Sequence, residues 1–148
     1  MAITRRNFVK TSALAGAGAL AAPYHFIRPA AASEAIEVGV LFSLTGGLSI
    51  IEKSLADVTQ MAIDEINAEG GVMGRPIKAI VEDGASDPKT YNEKASKLVI
   101  RDRVPTVFGS YTSASRKAVL PVFERRRNLY FYPTYYEGFE CSKNVVYT

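Results

Sequence analysis

From residue 34 onward the chain alternates between short apolar runs and longer amphipathic stretches. Residues 34–42 begin with polar-apolar alternation and end as the run Val38, Gly39, Val40, Leu41, Phe42, which predicts a strand entering a buried sheet. Ile51, Leu55, Val58, Ala62 and Ile66 then recur at spacings of three and four, predicting one apolar face of a long helix that Gly70 and Gly71 stop. The cycle repeats with a strand at 76–82, a turn at 83–88, and a helix at 89–101 that buries Tyr91, Ala95, Leu98 and Val99. A third cycle has a strand at 106–109, a polar loop and a helix from about Ala114, with Pro121 marking a kink or the first turn of a second helical piece. Residues 129–132 read as a fourth strand and 145–147 start a fifth.

Strands alternating with helices of this length imply βαβ units: an α/β fold with a doubly wound, Rossmann-like parallel sheet covered on both faces. Ligands on such sheets sit beyond the carboxyl ends of the strands. The loops 43–49, 83–88, 109–113 and 133–140 are therefore the places to look for chemistry.

The first 32 residues change how composition is read. Arg5 and Arg6 form a twin-arginine start, residues 11–22 are a mild apolar run, and Ala30, Ala31 and Ala32 close the segment. Those are the three parts of a cleavable export signal, with cleavage expected after Ala32. An ordinary buried helix is the other reading of residues 11–22; the run is too short to span a bilayer, which takes ~20 residues. The expected domains are thus 1–32, a twin-arginine signal, and 33–148. Removing the signal takes away four basic and no acidic side chains, so the formal charge falls from +3 to −1. The basic pI belongs to the leader, and a nucleic-acid partner loses its electrostatic support.

Candidate chemistry lies in two loops. Residues 109–113 place hydroxyls at the start of a helix, where free N–H groups and the positive end of the dipole favour a carbonyl or carboxylate oxygen. Ser113 reads equally as the helix N-cap, and the two roles are compatible. Loop 133–140, with Pro133, Thr134, Tyr135 and Tyr136, can wall a small pocket while keeping polar tips; for Tyr136, packing at an edge is the plainer reading. No P-loop occurs, and no G-x-G-x-x-G follows the first strand. The one histidine, His25, lies in the leader, so His-based triads and His metal sites are excluded from the rest. Asp83 and Asp87 lack EF-hand spacing, and Pro88 points to a turn. Cys141 is the single cysteine, its partner unassigned. No cofactor, no metal and no catalytic constellation is expected.

Residues 38–46, 64–72 and 74–77 resemble the type I periplasmic solute-binding proteins of the branched-chain amino-acid group. Residues 111–122 and 132–142 are similar to its urea and short-chain amide branch, which holds exported receptors of ABC transporters and a cytoplasmic amide sensor controlling amidase expression. The resemblance implies a periplasmic, soluble receptor with ABC permease subunits as partners, capturing urea or a short-chain amide between two closing lobes without chemistry, and the leader adds the twin-arginine translocase as a partner. Its alternatives are the regulatory sensor, against which the leader argues, and a branched-chain amino-acid receptor. The first-lobe contacts it implies are Ser113, Tyr111, Tyr132 and Thr134, the last two flanking Pro133, with Thr45 a further candidate. The chain stops in the fifth strand, before the hinge and second lobe of that family, so a fragment or truncated product is expected.

Overall fold

The computed structural model describes residues 34–138 and 140–148. The expected leader, with Arg5, Arg6 and cleavage after Ala32, lies outside the described residues. Five strands, β1 (Ile36–Phe42), β2 (Ile77–Asp83), β3 (Thr106–Gly109), β4 (Leu129–Tyr132) and β5 (Val145–Tyr147), alternate with three helices. These are α1 (Ser49–Ala68), α2 (Pro88–Ser96), which widens into a π-type turn over Lys97–Arg101, and α3 (Ser113–Arg126). Every strand pair is parallel, in the order β2-β1-β3-β4-β5. The chain winds outward from β1 in one direction to β2 and in the other to β3, which places the switch point between the carboxyl ends of β1 and β3.

β1 is apolar from Val38 to Phe42 because both of its faces are buried there. Val38, Val40 and Phe42 pack with Ala56 and Ile63 of α1 on one side. Leu41 joins Tyr91, Leu98, Val107, Val119, Phe123 and Tyr130 in the larger core under α2 and α3 on the other. The four residues expected inside α2 and its extension, Tyr91, Ala95, Leu98 and Val99, are all buried there. Asp87 caps that helix by accepting from the Thr90 N–H at 2.8 Å, with Pro88 in its first turn.

Helix α1 departs from its expected orientation. Its buried residues are Glu52, Ala56 and Ile63, one position round from the predicted stripe. Ile51, Val58 and Ile66 stay 42%, 56% and 40% exposed. Polar anchors decide the rotation: the Glu52 carboxyl turns inward to the Ser43 N–H, and Asn67 bonds both backbone groups of Ile77, at 2.8 and 2.7 Å. Val58, Ala62 and Ile66 instead edge an apolar groove of about 470 Å³ that Thr106 and Phe108 floor. Helix α3 also differs, running unbroken through Pro121 to a left-handed Arg127. The expected stop of α1 holds, since Gly70 and Gly71 take φ of 102° and 75°.

Candidate functional site

The site forms where the loops after β3 and β4 meet. β3 can approach β1 closely because Gly109 has no side chain: a Cβ there would stand 2.1 Å from the Leu41 carbonyl oxygen. Ser110 then turns the chain with φ 63°, donating its N–H to that same oxygen at 2.9 Å. The extended Thr112, not Ser113, is the N-cap of α3; its hydroxyl accepts from the Ser115 N–H at 3.2 Å. That correction matters chemically. Ser113 occupies the first helical position, where its N–H has no intrahelical acceptor and its hydroxyl is not used as the cap.

The second loop is tied to the first through one carbonyl. Tyr111 O accepts the Tyr132 hydroxyl at 2.7 Å and the Thr134 hydroxyl at 3.1 Å, with Pro133 stiffening the segment between them. Thr134 therefore keeps its lone pairs free to accept. Tyr111 and Tyr135 meet edge to face with centroids 6.3 Å apart.

Two adjoining hollows result. One of about 190 Å³ is lined by Tyr111, Thr112, Ser113, Tyr132, Tyr135 and Glu137. The other, about 640 Å³, is lined by Ile51, Leu55, Pro133, Thr134 and Tyr136, together with Tyr111, Tyr135 and Thr148. Tyr111, Ser113, Tyr132, Pro133 and Thr134 are thus gathered at one place. Tyr132 presents a ring wall only, because its hydroxyl is spent on Tyr111 and the side chain is buried. Thr45 lies apart: its hydroxyl and N–H are both held by Asp83. A further hollow of about 680 Å³ sits at the amino ends of the strands between Glu34, Arg75, Lys78 and Asp102, the wrong end for a ligand in a doubly wound sheet.

Beneath the loops lie polar residues that the sequence reading passed over. Glu52, fully buried, accepts from the Ser43 N–H at 2.7 Å and from the Tyr91 hydroxyl, whose ionisation burial and this carboxyl push far upward. Asp83 gathers the Leu44 and Ala85 N–H groups, each at 2.8 Å, besides Thr45. Burial raises its carboxyl, but these hydrogen bonds outweigh that and hold it below its ordinary value. Arg116 is buried against Glu140 at 2.9 Å. Its place could have been found by spacing, because residues 116, 119 and 123 share one helical face and the other two are core.

Residues 36–148 match the periplasmic binding protein domain family, and the chain belongs to it. The Leu/Ile/Val-binding protein homolog 7 of Brucella abortus is 32% identical over 102 residues, 69% of this chain and 25% of the relative. The chain therefore spans about a quarter of that relative's length. Among solved structures, the branched-chain amino acid transporter substrate-binding protein LivJ of Streptococcus pneumoniae, in complex with isoleucine, aligns with a TM-score of 0.68 at 27% identity, covering 70% of this chain and 30% of that one. The leucine-binding protein LivK of Thermotoga maritima shares the fold, with a TM-score of 0.66 at 20% identity over 76% of this chain and 32% of its own. Each of these three relatives is named as a binding protein.

Proposed function

We propose that residues 33–148 form the first lobe of an exported, periplasmic solute receptor that works with an ABC permease, and that Ser113, Tyr111, Thr134 and the wall of Tyr132 and Pro133 receive its ligand. The observation that carries this is Ser113: an uncommitted N–H and hydroxyl at the start of a 14-residue helix, facing a hollow beyond the strand ends. Such a group receives a carbonyl or carboxylate oxygen, while the free lone pairs of Thr134 accept an N–H.

The ligand class we favour on these contacts is urea or a short-chain amide, supported by the small hollow at Ser113 and by the sequence similarity of residues 111–122 and 132–142. Capture would involve closure of a second lobe and no reaction, and the leader would direct export by the twin-arginine translocase. A branched-chain amino acid is the second reading. The names of the relatives favour it, and Ile51 and Leu55 beside Thr134 offer an apolar wall for a branched side chain.

Urea has four non-hydrogen atoms, so at a ceiling of ~1.5 kcal/mol each its binding energy reaches ~6 kcal/mol, a Kd of tens of micromolar. A hollow walled on one side supplies only part of that, and millimolar binding is expected for this chain. Ligand titration by NMR with urea, acetamide, leucine and isoleucine tests the reading. Shifts at Ser113 and Thr134 with the amides support the first reading, shifts with only the amino acids replace it by the second, and silence at both residues refutes the site.

A further inference from the structure

Arg116 lies one aromatic ring behind the small hollow. It belongs to the first turn of α3, three residues after Ser113, yet its side chain is only 1% exposed. Its guanidinium carbon stands 4.5 Å from the centroid of Tyr132 and 5.8 Å from that of Tyr147, two rings that meet edge to face with centroids 6.5 Å apart, so the cation lies against both. Tyr132 is the ring whose other surroundings include Ser113 and the hollow. Both Nε, at 3.2 Å, and one terminal nitrogen, at 2.9 Å, donate to a single oxygen of Glu140. Glu140 closes the loop that carries Thr134, Tyr135 and Tyr136, and its backbone carbonyl accepts the Tyr136 hydroxyl.

A cation at a helix N-terminus opposes the dipole, and burying it adds a desolvation cost. The Glu140 carboxylate, together with the two tyrosine rings, offsets both, so α3 and loop 133–140 are held together by a contact that neither can lose cheaply. The same neutralisation acts on the hollow. An unbalanced guanidinium behind the Tyr132 ring, in a poorly screened interior, would draw a carboxylate toward Ser113.

We infer that Arg116 and Glu140 are a positioning pair: they set the separation between the Ser113 and Thr134 loops, and their cancelled charges make the hollow select an uncharged group over an anion. The second half of this inference rests on the proposed ligand site; the first half does not.

Two measurements on the whole chain separate them. Amide hydrogen exchange is expected to quicken at least tenfold in Arg116→Met at Val145 and Thr148, whose N–H groups are bonded to the Ser142 and Tyr132 carbonyls at the two ends of the loop, with the β1–β2 amides unchanged. The double variant Arg116→Met with Glu140→Met, which leaves no unpaired charge, is expected to recover most of that protection. Uniform loss of protection throughout the chain, or none at those two amides, overturns the positioning role. In Glu140→Gln the preference for acetamide over acetate, read by NMR titration, is expected to shift at least tenfold toward acetate. An unchanged preference overturns the charge argument. If the unaltered chain binds neither probe, the ligand-site reading and its charge consequence fall together, and exchange alone decides the positioning role.

Discussion

The hydroxyl of Tyr132 stands 2.7 Å from the carbonyl oxygen of Tyr111. That single bond fastens the end of β4 to the loop after β3, and Thr134 reinforces it on the same acceptor at 3.1 Å. Tyr132→Phe is expected to cost about 0.5–1.5 kcal/mol of stability, because Thr134 still satisfies the carbonyl. Denaturant unfolding with an unchanged m-value measures it; a loss of several kcal/mol would show that the Tyr132 hydroxyl holds more than this loop.

The N-cap correction separates two neighbouring hydroxyls. Thr112→Ala should destabilise the chain by about 1 kcal/mol through loss of the cap to Ser115. Ser113→Ala should leave unfolding within about 0.5 kcal/mol of the original, since the hydroxyl supports nothing in the fold, while weakening ligand binding. Equal destabilisation by both would return Ser113 to a structural role.

The Tyr91 hydroxyl and the Ser43 N–H both donate to one oxygen of the buried Glu52 carboxyl, and the other oxygen has no hydrogen-bond partner among the described residues. Tyr91→Phe removes one donor and is expected to cost about 1–3 kcal/mol. Thermal melts compared with an exposed Tyr135→Phe control check this, and a neutral result for Tyr91 would mean that water replaces its hydroxyl.

Acid should weaken the fold through two neighbouring carboxylates. Burial raises Glu82, but hydrogen bonds and charges from Lys94, at 2.8 Å, and Lys97 outweigh it and hold the carboxyl below its ordinary value; Asp83 is held low by its hydrogen bonds. A native pKa below the unfolded one contributes stability above the unfolded value and loses it as pH falls through the native one. The loss should therefore set in near the ordinary carboxylate values, about pH 4, and continue below. Glu82→Gln with Asp83→Asn should flatten the acid limb of stability against pH; an unaltered limb would assign it to other groups.

Gly109→Ala probes the approach of β3 to β1. The added methyl would sit 2.1 Å from the Leu41 carbonyl oxygen, backbone that has nowhere to go, so a loss of about 3 kcal/mol or more is expected. Circular dichroism melts measure it, and a near-native midpoint would mean that the two strands can part.

The fold was legible because its signals are local. Five apolar runs and the paired glycines after α1 each act over a few residues, and the structure places strands and stop accordingly. The strand-end rule then directed attention to 109–113 and 133–140, where Tyr111, Ser113, Tyr132, Pro133 and Thr134 gather. Hydrophobic period, strand-helix alternation and turn chemistry are properties of the chain alone.

What tertiary structure decided are the matters that depend on partners distant in sequence. Periodicity ranked Ile51, Val58 and Ile66 as the inner face of α1, but Glu52 and Asn67 found buried partners and turned the helix by one position. The Thr45 N–H and hydroxyl both donate to Asp83, 38 residues away, a partner that no local pattern shows. Arg116 lies inside because Glu140, 24 residues on, and the rings of Tyr132 and Tyr147 meet it there. A polar side chain goes inside when a specific partner meets it there, and that meeting is a fact of three dimensions.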